Sequence, residues 1–176
     1  GNNYIGGKLS AKNITFNNNA KLYNECGVFA TQEIKITGNN ELHVAYLKAQ
    51  KLEQSSNSNI YLKNNSFIET PNYVNHNAGV GSITLEGDNA VAYIIGEKLH
   101  YNHSDGNRNN LKMFRTSGNQ SKIYFNGVFC EEGSDNPVET TLNNEANVIE
   151  VTTENQNEFT IKKDACNPGH NDNGDP

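Results

Sequence analysis

An internal repeat is the feature that most constrains the fold of this chain. Four segments share one pattern: apolar–x–apolar–x, a pair of Gly, Asn or Asp residues, then x–x–apolar. They begin at Ile14, Ile34, Ile60 and Ile83, and a fifth, looser copy begins at Thr140. The first four copies start 20, 26 and 23 residues apart, and the fifth follows after 57 residues, enough for two copies. Periods of this length are typical of solenoid repeats.

Each copy predicts a short strand, a turn and a second strand. Two apolar residues on either side of one other residue form a strand that points them to the same face. The Gly, Asn or Asp pair then turns the chain, because these residues tolerate the left-handed backbone conformation. Asparagines at equivalent turns can hydrogen-bond from coil to coil, which suits a chain with 32 of them. The predicted turn ladder comprises Asn18, Asn19, Gly38, Asn39, Asn64, Asn65, Gly87, Asp88 and Asn144.

The repeat favours an all-β fold, a right-handed parallel β-helix of about six to seven coils. The alternative is an antiparallel β-sandwich, since short strands with frequent turns also suit that class. We expect residues 1–163 to form the β-helix and residues 164–176, rich in Asn, Asp, Gly and Pro, to form a flexible tail or linker. Insertions at 70–77 and 102–110 are predicted to leave the coils as loops, where binding residues often lie.

Charge and hydropathy exclude two classes of partner for this segment. The net charge is −6, and the 14 Lys and Arg residues are scattered along the chain, so no nucleic-acid footprint is present. No apolar run approaches the ~20 residues that a membrane-spanning helix needs. We therefore predict neither nucleic-acid binding nor a membrane span.

Two stretches carry a resemblance to a known family. The turn Gly38-Asn39-Asn40 resembles the coil ends of passenger domains of Gram-negative autotransporters. The opening from Tyr4 to Phe16, Tyr-Ile-Gly-Gly-Lys-Leu-Ser-Ala-Lys-Asn-Ile-Thr-Phe, resembles repeats of the vacuolating-cytotoxin-like autotransporters of Helicobacter and its relatives. The resemblance implies a β-helix that is secreted through an outer-membrane barrel and acts at the host-cell surface.

Candidate binding residues are outward aromatics and side chains in or near the two insertions. Exposed tyrosines on a sheet face can stack on sugars or anchor a protein partner, or they can simply pack against neighbouring strands and loops. The predicted binding residues are Tyr61, Tyr73, His76, Tyr101, His103 and Arg108.

The sequence offers no catalytic, metal or cofactor motif. It contains no Gly-x-Ser-x-Gly elbow, phosphate-binding loop or His-Glu-x-x-His. Its acidic residues do not recur as a pair at equivalent outward positions of adjacent copies, as a glycosidase or a calcium-assisted lyase would need. The imidazoles of His100 and His103 with the carboxyl of Asp105 are interpreted as solvated loop residues.

Three cysteines do not make a disulfide framework. Cys130 and Cys166 are the candidate pair, which would leave Cys26 as a free, small apolar residue.

These observations favour a binding module over an enzyme. We expect a segment of a secreted, surface-displayed passenger that acts in host adhesion, colonisation or cytotoxin-like host interaction, with a host-cell receptor or glycan as partner. Exposed coil ends would also allow self-association. Two alternatives remain: a rigid spacer without a ligand, and a carbohydrate-active β-helix.

Overall fold

The computed structural model describes residues 2–17, 19–55, 57–76, 83–101, 113–138, 147–152, 154 and 156. Within these residues the fold is all-β, with no helix. The strands are β1 (Asn2–Ile5), β2 (Leu9–Phe16), β3 (Lys21–Asn24), β4 (Val28–Ile36), β5 (Glu41–Val44), β6 (Tyr46–Lys48), β7 (Lys51–Gln54), β8 (Asn59–Leu62), β9 (Phe67–Glu69), β10 (Asn72–Asn75), β11 (Ile83–Leu85), β12 (Val91–Tyr101), β13 (Phe114–Thr116), β14 (Lys122–Glu131) and β15 (Val148–Glu150).

The strands form two parallel sheets. The first sheet has the order β1-β3-β5-β8-β11-β13, and the second contains the other nine strands. Every strand pairing among the described residues is parallel, and the one antiparallel contact there is an isolated bridge between Cys130 and Pro137. The antiparallel β-sandwich is therefore excluded for these strands.

The second sheet has two arms because the two halves of its long strands β4 and β12 pair with different short strands. In β4, Val28 and Phe29 pair with β6, whereas the segment from Glu33 to Ile36 pairs with β7. Strand β12 changes partner in the same way, from β9 to β10, and a register shift separates Ile95 from Lys98 in its pairing with β14. Three rows of parallel strands result, one from the first sheet and one from each arm.

Apolar residues of equal register fill the interior between these rows. The row Leu22, Leu42, Ile60, Ile83 and Phe114 lines the first sheet, and each member is at most 7% exposed. Equivalent rows in the two arms are Ile34, Leu52, Tyr73 and Leu99, and Val28, Leu47, Ile68, Ile94 and Phe125. Burial of these rows supplies the main stabilising free energy.

Turn residues connect successive strands in the way that the repeat predicts locally. Asn19, Gly38, Asn65 and Gly87 have positive φ angles. The backbone N–H of Asn39 donates to Oδ1 of Asn19 at 3.3 Å. The backbone N–H groups of Asn119 and Val91 donate to Oδ1 of Asp88 and Asn64, at 2.8 and 3.0 Å. Asn18 and Asn144 lie outside the described residues.

The repeat alignment is correct for the first two copies and for the third and fourth, but it is wrong between the second copy and the third. Ile14 pairs with Ile34, and Ile60 pairs with Ile83, as aligned. However, Ile34 lies in the second sheet and Ile60 in the first, so the third copy does not stack on the second. The stretches between copies differ in length, which shifts the same local pattern from one row to another.

The prediction of a loop at 70–77 is wrong for its central residues. Strand β10 occupies Asn72–Asn75 and pairs with both β7 and β12. The second predicted loop, 102–110, and the predicted tail, 164–176, lie outside the described residues. No helix in the described part of the chain is long and apolar enough to cross a membrane.

Candidate functional site

An aromatic column runs along the outer surface of the first sheet. Tyr4, Tyr23, His43 and Tyr61 occupy the same register in β1, β3, β5 and β8. Their ring centroids are 4.9, 4.4 and 4.6 Å apart in that order, and neighbouring ring planes differ by 13–16°. We call these four residues the aromatic strip.

The parallel register produces this stacking. Neighbouring parallel strands lie about 4.8 Å apart, so identical outward positions place side chains directly above one another. The inward residues Leu22, Leu42 and Ile60 immediately precede Tyr23, His43 and Tyr61 and anchor them from the core side. Because each ring covers the face of the next, the strip presents ring edges and polar groups outward.

A groove of about 470 Å³ lies along the aromatic strip. It extends across β1, β3, β5 and β8, and the polar groups of Asn24, Glu25, Lys63 and Glu86 also line it. Aromatic surface and hydrogen-bonding groups therefore share one elongated depression.

Charged side chains flank the middle of the strip. Lys21 forms an ion pair with Glu41 at 2.8 Å. His43 lies between two carboxylates, with Nε2 3.6 Å from Glu41 and Nδ1 3.9 Å from Glu86. The hydrogen bond from Lys21 lowers the pKa of Glu41, whereas partial burial, with the nearby charges of Glu41 and Glu86, raises the pKa of Tyr61.

A second group of polar residues lies on the outer surface of the second sheet, on the arm that contains β7 and β10. His76 contacts Glu132 through Nδ1 and lies 3.4 Å from Glu53 through Nε2. His100 Nε2 is 3.7 Å from Asp135, which also pairs with Lys98 at 2.7 Å. We call His76, His100, Glu53, Glu132 and Asp135 the histidine–carboxylate cluster; these residues line a cleft of about 500 Å³.

Lysines hold part of this cluster in its charged form. Lys35 and Lys51 both pair with Glu53, at 2.7 and 2.5 Å. Partial burial opposes ionisation of Glu53, but the hydrogen bonds from the two lysines outweigh it and lower its pKa to about 2. No group of three or more His, Cys, Asp or Glu in the described residues is arranged to hold a metal ion.

The structure separates the predicted binding residues. Tyr61 lies in the aromatic strip on the first sheet, and His76 lies in the histidine–carboxylate cluster on the second sheet. Tyr73 and Tyr101 are only 1% and 2% exposed, so the prediction that they point outward is wrong. They follow the inward alternation of β10 and β12, and the hydroxyl of Tyr73 donates to Oε1 of Gln54 at 2.6 Å. His103 and Arg108 lie outside the described residues.

The predicted cysteine pairing is also wrong. Cys130 is a buried free thiol, so it does not pair with Cys166. Cys26, expected to be free, is disulfide-bonded. Sequence separation gave no information about which cysteines approach one another, because that distance depends on the path of the chain.

Three strip residues, Tyr4, Tyr23 and His43, were missed, although the sequence carries a signal for the last two. Tyr23 and His43 directly follow Leu22 and Leu42, which the repeat alignment already placed at equivalent positions. Tyr61 follows Ile60 in the same way once Ile60 is stacked on Leu42. The misplaced third copy concealed this column.

Comparison with known proteins adds no further constraint: no family model, curated protein or solved structure matches this chain significantly.

Proposed function

We propose that the chain is a right-handed parallel β-helix that serves as a binding segment of a secreted, surface-displayed bacterial passenger. Its ligand is a linear glycan on the host-cell surface, and the role is adhesion or colonisation. The observation that carries this proposal is the aromatic strip with its groove. The sequence resemblance to autotransporter passengers supports the surface location.

The strand arrangement supports the β-helix. Three rows of parallel strands joined in sequence order require the chain to pass from row to row in each coil. Parallel connections of this kind are almost always right-handed, because strand twist favours that crossover.

The repeat distance of the strip favours a linear glycan. Each coil advances the groove by about 4.8 Å, close to the length of one sugar unit in an extended chain. A sugar has apolar C–H faces and many hydroxyls, so it needs apolar contact and hydrogen-bonding groups together. The outward ring edges of the strip supply the first, while Lys63 and Glu86 supply the second.

The carboxyl groups of the histidine–carboxylate cluster also favour a binding role over glycoside hydrolysis. Glu53 and Asp135 are ion-paired with lysines that lower the pKa of both carboxyls. A glycosidase instead needs one carboxyl with a raised pKa to act as general acid.

The test is binding of the purified protein to linear oligosaccharides of increasing length, measured by calorimetry, and to epithelial cells. Affinity should rise with length until the ligand spans the four strip coils, and then stay constant. Cell binding should be saturable and should be competed by the same oligosaccharides.

Matched variants locate the site. Tyr61→Phe removes one strip hydroxyl and should weaken binding about threefold to tenfold, the effect of one hydrogen bond. Tyr93→Phe removes a hydroxyl from the second sheet and should leave binding unchanged. Cell binding no greater than that of an unrelated β-helix would overturn the proposal and favour the rigid spacer. Cleavage of the oligosaccharides would favour the carbohydrate-active alternative.

A further inference from the structure

A second column of aromatic rings lies on the outer face of the second sheet. Tyr46, Phe67, Tyr93 and Tyr124 occupy one register in β6, β9, β12 and β14. Each directly precedes an inward residue of the main core, so the four rings point away from that core. We call these four residues the buried column, because none of them is more than 8% exposed.

Stacking within the sheet does not account for this burial. The rings of the aromatic strip are stacked in the same way, and yet Tyr23, His43 and Tyr61 remain partly exposed. Phe67, by contrast, is 0% exposed. Four apolar residues of the same sheet, or directly after it, pack against the buried column: Phe29, Val91, Ile149 and Val151. These residues flank the rings, which leaves the cover over Phe67 to another part of the chain.

The cysteines indicate which part of the chain provides this cover. The sequence has three cysteines, of which Cys26 is disulfide-bonded and Cys130 is a free thiol. This count leaves Cys166 as the partner of Cys26 within the chain. Cys26 lies at one end of the buried column, since a Cβ on the adjoining Gly27 would lie 3.3 Å from the carbonyl oxygen of Tyr46. The disulfide therefore brings the C-terminal segment to this end of the column.

The described chain leaves the sheet at the opposite end of the column. Val151, directly after β15, packs against the column, and its N–H donates to the carbonyl of Phe125 at 2.7 Å. From β15 to β4 the second sheet advances by five strand spacings, about 24 Å. The 15 residues 152–166 reach up to about 50 Å when extended. The segment is therefore long enough to cross the whole column.

The sequence of this segment suits an aromatic surface. Phe159 and Ile161 alternate with Thr160 and Lys162. In an extended chain, alternate side chains point to opposite faces, so the apolar pair shares one face and the polar pair the other. The apolar face suits contact with the rings, while the polar face suits contact with solvent.

We propose that residues 157–166 form a strap across the buried column. Its apolar face, Phe159 and Ile161, docks on the rings, and a disulfide between Cys166 and Cys26 fixes its end. The S–S bond forms when the two thiols give two protons and two electrons to an external disulfide, which is reduced to two thiols. Such a bond persists in an oxidising compartment, in agreement with the proposed secretion. The strap lies on the second sheet, so it does not depend on ligand binding at the aromatic strip.

The first experiment maps the disulfide in the wild-type protein. The denatured, unreduced protein is alkylated with N-ethylmaleimide and digested with trypsin. Mass spectrometry should find residues 22–35 linked to residues 164–176, and reduction should release the two peptides. The peptide containing Cys130 should carry the alkyl group. Any other linkage, or alkylation of Cys166 before reduction, would overturn the proposal.

The second experiment measures the cover over the rings. Hydroxyl-radical footprinting with mass spectrometry compares the oxidation of Tyr93 in the buried column with that of Tyr61 in the aromatic strip. In Phe159→Ala/Ile161→Ala, oxidation of Tyr93 should rise about fourfold, the ratio between the exposed fractions of His43 in the strip and Tyr93, 23% and 6%. Oxidation of Tyr61 should not change.

The matched control alters the polar face of the strap. Thr160→Ala/Lys162→Ala should leave the oxidation of Tyr93 unchanged. Ile161→Ala alone should give part of the increase, and it serves if the apolar double variant does not fold. Equal oxidation of Tyr93 in the wild type and the apolar variant would contradict the strap, and so would an equal increase in the control. Oxidation that rises on dilution of the wild type would assign the cover to a second copy of the chain instead.

Discussion

Two aromatic columns run along this molecule, one partly exposed and one buried. The aromatic strip borders an open groove on the first sheet. The buried column, Tyr46, Phe67, Tyr93 and Tyr124, lies on the second sheet, and none of its members is more than 8% exposed. Tyr46 and Phe67 stack with centroids 3.9 Å apart, closer than any pair in the strip. Stacking is thus common to both columns, and burial separates a structural column from a surface available to a ligand.

The largest difference between the columns should appear when a ring is removed. Phe67→Ala should lower the free energy of unfolding by about 3–5 kcal/mol, because it leaves a cavity at a fully buried position. Tyr61→Ala should cost about 1 kcal/mol, since a partly exposed ring loses less packing. Denaturant unfolding measures both, and equal costs would show that the two columns are not energetically distinct.

Adding a methyl group beside each column, by replacing a glycine with alanine, should also affect stability differently at the two columns. In Gly27→Ala the new Cβ would lie 2.7 Å from Cζ of Phe29, a ring packed edge-on against Tyr46, and 3.3 Å from the Tyr46 carbonyl oxygen. We expect overpacking to lower the free energy of unfolding by about 1–3 kcal/mol.

The matched control for that substitution is Gly6→Ala. Gly6 lines the groove at the strip, and a Cβ there would meet nothing within 4 Å. Thermal unfolding should therefore show a shift for Gly27→Ala and almost none for Gly6→Ala. A tolerated methyl at Gly27 would mean that the ring of Phe29 can move aside.

Removing a single hydroxyl should give the smallest effect. The Tyr46 hydroxyl donates to Oε2 of Glu69 at 2.9 Å, and burial, with this hydrogen bond, raises the pKa of Tyr46. Tyr46→Phe should lower the free energy of unfolding by about 1–2 kcal/mol at neutral pH, whereas Tyr61→Phe should lower it by less than about 0.5 kcal/mol.

The cost of Tyr46→Phe should depend on pH. A tyrosine whose pKa is raised by folding stabilises the protein below its unfolded pKa of about 10, and this contribution is lost as the pH rises above that value. The stability difference between wild type and Tyr46→Phe should therefore narrow above about pH 10. A gap that widens there would contradict the hydrogen bond to Glu69.

Local patterns in the sequence determined the all-β class, the turns and the strand alternation. The alternation around Leu22 and Leu42 depends on neighbouring residues alone, and so does the positive φ of Asn19 and Gly38. These features were predictable because each described copy of the repeat has the same short-range chemistry.

Only the tertiary structure decided which row each segment joins. Ile60 stacks on Leu42 and Tyr73 lies in the core because stretches of unequal length separate the copies. The contact of His76 with Glu132 spans 56 residues, and the disulfide at Cys26 likewise depends on the path of the chain. Strand periodicity predicts which face a side chain takes within a strand, but it does not predict which neighbouring strands that strand will pair with.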